Sequence, residues 1–174
     1  MTFQRKIKKA ISGNRSALYE LIDEQRDKLY RIAYLYVKNE NDAIDIFQET
    51  TYKAFKSIHN LKEPDFFHTW LTKILINTSL DFIKRNQKVI PFENVEDYAK
   101  TEGNPLEARM DLMAAIDKLS ATYKTVIILR FYKDFTVKQI AEILDCPEGT
   151  VKTYLHRATN QLKKELKEED WMNG

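Results

Sequence analysis

Apolar residues recur every three or four positions along two long blocks of this chain, and this spacing lapses between residues 87 and 105. Such a period is typical of amphipathic α-helices, and no stretch alternates apolar and polar residues as a half-buried strand would. The 174 residues include only 4 glycines and 4 prolines, which suits long helices better than a turn-rich β architecture. The sequence predicts an all-α protein of two small helical domains, an N-terminal helical bundle and a C-terminal four-helix domain with a helix-turn-helix, joined by a flexible linker.

The first block, roughly residues 14–86, contains three helical stretches. Apolar residues repeat at helical spacing over residues 17–38, and a second helix is expected from about residue 42 to residue 58. Asn41 or Asp42 is its expected cap. After a break around Pro64, a third helix to about residue 85 is apolar around much of its girth, so we expect it to be central. The expected buried face of the second helix consists of Ala43, Phe47, Thr50, Ala54 and Ile58.

The stretch between the blocks, residues 87–105, holds two prolines, one glycine and a run of acidic residues, which is typical of a linker. An acidic tether would avoid binding to a polyanion that both blocks bind. A solvated loop without a role is an equally good interpretation.

The second block, about residues 106–169, has the pattern of a helix-turn-helix near its end. Thr136 and Gln139 have the spacing of a capping box ahead of an apolar run, and Ala141 is small enough for a second helix to cross it. Asp145 tolerates the left-handed conformation at a helix end, and Pro147 favours a new helix start. Two helices are expected before this motif, one carrying Leu112, Ile116 and Leu119 and one across residues 123–132.

The last helix is amphipathic. A turn of about 100° per residue from Val151 places four further apolar residues within about 60° of it and polar residues opposite, as on a helix in the DNA major groove. Charged outer faces are also ordinary solvated surface, but the capping box, the small crossing residue and the tight turn together favour a DNA-reading helix. The apolar residues are Leu155, Ala158, Leu162 and Leu166; the polar ones are Thr153, His156, Arg157, Asn160 and Lys164, with Lys152 and Lys163 at the edge.

Composition excludes several function classes. The 43% apolar and 31% charged residues are typical of a soluble globular chain, and a net charge of +2 does not by itself indicate nucleic-acid binding. No apolar run approaches the ~20 residues of a membrane-spanning helix, so no direct membrane insertion is expected. Cys146 is the one cysteine, which favours the cytoplasm, and we expect it to pack at the turn. Because the three histidines are scattered and no glycine-rich phosphate loop occurs, we expect no catalytic site, metal or cofactor.

Three segments in this order resemble the extracytoplasmic-function group of bacterial sigma factors. They are DAIDIFQETTYKAF (residues 42–55), FFHTWLTKILINTSLDFIKR (66–85) and QIAEILDCPEGTVKTYLHRA (139–158). The resemblance implies a promoter-recognition subunit with sigma region 2 in residues 1–86, a linker in residues 87–105 and sigma region 4 in residues 106–174. The implied partners are the β′ and β subunits of core RNA polymerase, and promoter DNA as −35 duplex and melted −10 single strand. A cognate anti-sigma factor, often membrane-anchored in this family, is also expected.

The resemblance further implies which residues bind. The helix from about residue 42 matches the family's core-binding segment, and its exposed candidates are Asp45, Gln48, Glu49 and Tyr52. Residues 60–85 match the part that captures the opened −10 element, with the candidates Asn60, Lys62, Pro64, Asp65, Phe66, Trp70, Asn77, Lys84 and Arg85. For Trp70 and Asp81, core packing and an internal hydrogen bond are equally good interpretations.

The family's −35 recognition helix matches residues 148–163, with the candidates Glu148, Lys152, Thr153, Tyr154, His156 and Arg157. Arg157 is expected to pair with a guanine, which would be worth about 1–3 kcal/mol of discrimination. Many family members carry arginine at the positions of Tyr154 and Thr159. Tyr154 would offer an apolar or hydroxyl contact instead, so the base that each side chain reads stays open.

Two other classes fit parts of the pattern. A repressor or activator with a signal-sensing N-terminal block would have a similar second block, but it would not need the DAxDxxQE helix and would usually bind palindromic duplex as a dimer. A helical adaptor without a nucleic-acid role fits the acidic linker and the near-neutral charge. An enzyme fits least, because no catalytic constellation can be assembled.

Overall fold

The computed structural model describes residues 1–86 and 105–172, which are mostly helical and contain no β-strand. The chain divides into two compact units, Met1–Lys88 and Val89–Gly174. The predicted all-α class is confirmed. Apart from Pro105, the stretch predicted to be an acidic linker lies outside the described residues. None of the helices in the described ranges combines the length and the apolar character that crossing a lipid bilayer requires.

The described part of the N-terminal unit contains five helices and two short 3-10 turns. They are α1 (Phe3–Ile11), α2 (Arg15–Glu24), α3 (Arg26–Val37), α4 (Glu40–Ser57), the turns Ile58–Asn60 and Pro64–Phe66, and α5 (Phe67–Asn86). The helix α5 packs against both α3 and α4, which confirms its predicted central position. The helix α1 packs against α2 and against both 3-10 turns, so it lies beside the loop that joins α4 to α5.

Two helix assignments in this unit differ from the prediction. Residues 17–38 form two helices rather than one, because the chain turns at Gln25, whose N–H donates to the Ile22 carbonyl (3.0 Å). The apolar spacing continues across this break because both helices bury their apolar sides. The prediction also omits α1. Only Ile7 and Ala10 of its nine residues are fully buried, which is too short a pattern to recognise.

The helix α4 begins two residues earlier than expected. Lys38 takes the left-handed conformation (φ 51°) at the end of α3. Asn39 then caps α4 by accepting a hydrogen bond from the Asp42 N–H (3.0 Å), so the expected cap at Asn41 or Asp42 is wrong. The expected inner face is buried at Ala43, Thr50, Ala54 and Ile58 and half-buried at Phe47, and the buried Ile46 joins it.

Four helices form the described part of the C-terminal unit: α6 (Pro105–Asp117), α7 (Ala121–Ile127), α8 (Val137–Leu144) and α9 (Glu148–Met172). The helix α7 continues into a π-helical turn, Ile128–Tyr132. The helix α9 packs against α6, α7 and α8. Leu112, which the first expected helix of this block carries, is 41% exposed. The helix α6 instead turns Ala115 inward, and the buried Leu119 follows its C-terminus.

The helices α8 and α9 form the predicted helix-turn-helix. The Thr136 hydroxyl accepts a hydrogen bond from the Gln139 N–H (3.2 Å), and Gln139 Oε1 accepts one from the Thr136 N–H (2.9 Å), so the capping box is present. Asp145 ends α8 in the left-handed conformation (φ 51°). Pro147 lies one residue before α9, and its carbonyl accepts hydrogen bonds from the N–H groups of Thr150 (3.0 Å) and Val151 (3.2 Å).

Candidate functional site

The N-terminal half of α9 presents a polar face because its opposite side is buried. Val151 and Ala158 have no exposed surface, and Leu162 is 9% exposed, so the helix is fixed against the rest of its unit. This anchoring orients the candidate −35 residues. Five of the six are exposed, namely Glu148, Lys152, Thr153, His156 and Arg157.

Two side-chain contacts on this polar face join residues of α9 itself. Thr153 Oγ1 donates to the Gly149 carbonyl (3.0 Å), and Asn160 Nδ2 lies 3.1 Å from His156 Nε2. Because these partners lie four residues away on α9 itself, the polar groups remain at the surface. A row of hydrogen-bonding groups with interspersed cations can contact base edges and phosphates.

Tyr154 differs from the other candidates on α9. Its side chain is half-buried, and its ring centroid lies 6.1 Å from that of Tyr123 on α7, with the ring planes tilted by 56°. This position follows from helix geometry, since Tyr154 lies about 60° from Val151 and thus at the border of the buried side. A role in DNA binding stays a prediction for Tyr154, while packing against α7 is observed.

The outward face of α4 carries the candidate polymerase-binding residues. Asp45, Gln48 and Tyr52 are exposed along about two turns of the helix. Tyr52 is 59% exposed, and the Lys56 ammonium lies 4.7 Å from the centroid of its ring, within the range of a cation–π contact. We call Asp45, Gln48 and Tyr52 the α4 docking face.

Glu49, the fourth candidate on α4, lies to one side of that face and pairs with two cations. Its carboxylate lies 3.0 Å from Lys53 Nζ and 3.4 Å from Arg85 Nη2 on α5. The hydrogen bond from Lys53 holds the pKa of the Glu49 carboxyl below its ordinary value, and the nearby Arg85 adds to this effect. The structure therefore links a candidate polymerase-binding residue to a candidate −10 residue.

The loop between α4 and α5 carries the next group of −10 candidates. Asn60, Lys62, Asp65 and Phe66 are exposed, and Pro64 is half-buried. Two buried residues anchor the loop: Leu61 lies within it, and Phe67 follows it as the first residue of α5. These candidates therefore lie on one short loop, and four of the five are exposed.

Sequence reasoning missed the part of α1 that holds this loop. Gln4 Nε2 donates a hydrogen bond to Asp65 Oδ1. The Phe3 ring stacks on His68, with centroids 5.0 Å apart and planes 7° from parallel, and meets Phe67 edge-on at 6.1 Å. No sequence motif could have indicated these contacts, since they join residues more than 60 positions apart.

The −10 candidates on α5 form a line rather than a cluster. Trp70 is half-buried, with its ring centroid 5.7 Å from that of Phe67, whereas Asn77, Lys84 and Arg85 are exposed. Fifteen residues of helix separate Trp70 from Arg85, which amounts to about 22 Å. Asp81 is also exposed. A bound strand would have to follow the helix to meet all of them.

A cleft of about 370 Å³ between α4 and α5 adds residues that the prediction omits. Asn77 lines it together with Lys53 and Lys56. Lys53 Nζ also donates to Thr78 Oγ1 (3.2 Å). The signal available in the sequence was the appearance of lysines towards the C-terminal end of α4, which also occurs on ordinary solvated helices.

The described residues form neither a metal site nor a reactive cysteine site. No group of three or more histidine, cysteine, aspartate or glutamate side chains in residues 1–86 and 105–172 is arranged to hold a metal ion. Cys146 is half-buried at the turn between α8 and α9. Burial raises the pKa of its thiol, and the neighbouring Asp145 raises it further, so the reactive thiolate is disfavoured.

Two models of known protein families match this chain. A model described as "Sigma-70 region 2" matches residues 21–89, and one described as "Sigma-70, region 4" matches residues 109–162. The RNA polymerase sigma factor SigV of Bacillus subtilis is 37% identical to this chain, over 90% of this chain and 95% of SigV. The ECF RNA polymerase sigma factor SigW of the same organism is 29% identical, over 97% of this chain and 98% of SigW.

Two solved structures share the fold. The sigma factor RpoE of Bartonella quintana, in complex with the anti-sigma factor NepR, superposes with a TM-score of 0.68 at 26% identity, covering 85% of this chain and 97% of RpoE. CnrH, in complex with the cytosolic domain of CnrY, superposes with a TM-score of 0.72 at 20% identity, covering 94% of this chain and 96% of CnrH.

Proposed function

The chain belongs to the sigma-70 family of RNA polymerase sigma factors, in the extracytoplasmic-function group, and from this premise we propose how it recognises promoters. As an alternative sigma factor it directs transcription initiation. Residues 1–86 dock on core RNA polymerase and capture the −10 element, residues 106–174 read the −35 element, and residues 87–105 connect them. The protein acts by binding rather than by catalysis, in the cytoplasm, without a metal or cofactor.

The observation that carries the −35 assignment is a capped helix-turn-helix whose second helix turns Lys152, Thr153, His156 and Arg157 outward on one face. A helix so placed in the major groove brings its N-terminal residues to the base edges of duplex DNA. Arg157 pairs with a guanine, and Lys152 contacts a phosphate. Tyr154 supports the helix through its contact with α7.

The exposed loop after α4 and the outer side of α5 support capture of the opened −10 strand. Phe66 is 49% exposed, and its ring is available for stacking on an unpaired base. Lys62, Lys84 and Arg85 are exposed and supply positive charge for the strand's phosphates. Each captured base offsets an unstacking cost on the order of a few kcal/mol, so promoter melting is a binding process that uses no ATP.

The α4 docking face supports association with the β′ subunit of core RNA polymerase, and the β subunit is the second expected contact. RpoE of Bartonella quintana, which is 26% identical to this chain, forms a complex with the anti-sigma factor NepR. By analogy, a cognate anti-sigma factor binds this chain and covers its polymerase- and DNA-binding faces.

Transcription with purified components tests the proposal. The chain is added to bare core polymerase on genomic fragments, and the 5′ ends of the RNA products are sequenced. We expect initiation at a defined promoter set that shares −35 and −10 sequences. Initiation no more selective than with core polymerase alone contradicts the proposal.

A variant of the α4 docking face tests the division of labour. Asp45→Ala/Gln48→Ala should weaken core polymerase association and leave binding to −35 duplex unchanged, because both side chains are exposed in the other unit. These residues are better suited than Glu49, whose loss would also release Arg85. Asp27→Ala on α3, which removes the same charge from an exposed position, is the control. Equal loss of polymerase and duplex binding contradicts the assignment.

A further inference from the structure

A cleft of about 330 Å³ lies beside the C-terminal half of α4; it shares Tyr52 with the α4 docking face and Lys56 with the cleft between α4 and α5. One wall comes from the junction of α1 and α2, including Gly13 and Arg15, and the other from Tyr52, Phe55 and Lys56 of α4. Its volume is at the lower end of the range for ligand pockets. We call it the Arg15–Lys56 cleft.

Two cations at this cleft are held over aromatic rings. The Arg15 guanidinium carbon lies 5.4 Å from the Phe55 ring centroid, and the Lys56 ammonium lies 4.7 Å from that of Tyr52. Neither cation forms an ion pair within residues 1–86 and 105–172. Stacking on a ring restrains a cation while leaving N–H groups for an anion. The cleft therefore presents two positioned positive charges.

The lining between these charges is largely apolar. Leu18 is 1% exposed and Ile58 is 6% exposed, and the Phe55 ring adds a half-buried aromatic surface. Such a lining favours an apolar side chain, while the cations favour carboxylates beside it. The chemistry fits a peptide segment with acidic residues flanking an apolar one.

The Arg15–Lys56 cleft continues the α4 docking face. A turn of about 100° per residue puts Gln48, Tyr52, Phe55 and Lys56 within about 100° of one another, opposite the buried Thr50. Tyr52 belongs to both surfaces. A partner that covers Gln48 and Tyr52 would reach the cleft within one further helical turn.

We propose that the Arg15–Lys56 cleft binds an acidic segment of core RNA polymerase that inserts an apolar side chain, and so extends the α4 docking face. This inference rests on the proposed function. It assigns polymerase contacts to Arg15, Phe55 and Lys56 and gives α2 a part in docking. A single DNA strand offers the same negative charge, and the experiment separates the two.

The test titrates labelled full-length protein into core polymerase at several salt concentrations. Arg15→Ala/Lys56→Ala should raise Kd by roughly 2- to 30-fold at low salt, since each exposed ion pair changes an affinity by about 1.4- to 5-fold. The salt dependence of Kd should also become shallower, because two screened charge interactions are lost. The swap Arg15→Lys/Lys56→Arg keeps both charges and should keep most of the affinity.

The matched control is Arg5→Ala/Lys9→Ala, which removes one arginine and one lysine from exposed positions on α1 outside the cleft. This variant should bind core polymerase like the wild type. An equal loss in both double variants, or an unchanged Kd for Arg15→Ala/Lys56→Ala, overturns the inference. The inference is also overturned if Arg15→Ala/Lys56→Ala binds a mixed-sequence single-stranded oligonucleotide more weakly while its affinity for core polymerase is unchanged. That result would assign the cleft to DNA. Wild-type protein that does not bind core polymerase overturns the proposed function itself.

Discussion

The capping box at the start of α8 predicts how Thr136→Ala acts on the helix-turn-helix. The substitution removes the oxygen that accepts the Gln139 N–H at 3.2 Å and leaves that N–H to water. It does not change the exposed face of α9. Stability of the C-terminal unit should fall, while base reading by the folded molecule should persist.

The size of the effect follows from the exposure of this cap. Thr136 is exposed and its partner is half-buried, so the loss should be near the typical value for an N-cap, about 1 kcal/mol within a range of roughly 0.5–2 kcal/mol. A loss of about 1 kcal/mol raises the unfolded fraction about fivefold. Most molecules stay folded, so the affinity for −35 duplex should be nearly unchanged.

Hydrogen exchange of the full-length protein, read by mass spectrometry, measures this change locally. Peptides from α8 and the first half of α9 should exchange about fivefold faster in Thr136→Ala, because exchange follows the population of the open state. Peptides from α3 and α5 lie in the other unit and serve as an internal reference. Duplex binding is measured on the same samples by fluorescence anisotropy.

Thr136→Ser separates the hydrogen bond from the methyl group, since serine keeps the accepting hydroxyl and caps helices at least as well as threonine. It should exchange like the wild type. If Thr136→Ser exchanges as fast as Thr136→Ala, the methyl group rather than the cap stabilises α8. Faster exchange throughout α3 and α5 would refute the local origin of the effect.

Three further changes test other contacts. Arg157→Ala should relax preference at one −35 position by about 1–3 kcal/mol in a panel of duplexes, and a uniform loss would make it a phosphate contact. Glu49→Gln should destabilise the protein by less than about 1 kcal/mol at pH 7, as measured by urea unfolding. Because folding lowers the pKa of the Glu49 carboxyl, the stability that its charge contributes is fully present above the ordinary pKa of 4.5 and should vanish as pH falls through the folded pKa. A stability difference between Glu49→Gln and the wild type that does not change with pH contradicts this prediction. Gln4→Ala removes the hydrogen bond to Asp65 and should speed hydrogen exchange in residues 58–66. Since such a bond is worth roughly 0.5–1.5 kcal/mol, binding of the −10 single strand should weaken about 2- to 12-fold. Weaker binding to −35 duplex contradicts this prediction.

The helix-turn-helix could be predicted from sequence because the rules that form it are local. The capping box joins residues three positions apart, and the left-handed conformation at Asp145 is a property of one residue at a helix end. The buried side of α9 follows from helix geometry, and the same geometry accounts for the half-buried Tyr154. These features need no knowledge of the rest of the fold.

Other features escaped prediction because they depend on packing. A nine-residue helix such as α1 is marginal by itself and is held by tertiary contacts, including the Lys6 ion pairs with Glu20 and Glu24 and the Phe3 contact with His68. The exposed Leu112 shows the same limit, since apolar spacing predicts a face but not which part of it another helix covers.

The sequence by itself determined the helical class, the helix-turn-helix and the order of family motifs, because spacing, capping and turn preferences act over a few residues. Only the tertiary structure decided that Glu49 pairs with Arg85, that Gln4 holds Asp65, and that Arg15 and Lys56 meet at one cleft. Each of these contacts joins residues at least 36 positions apart. Such partners are selected by the way helices pack, which no short stretch of sequence encodes.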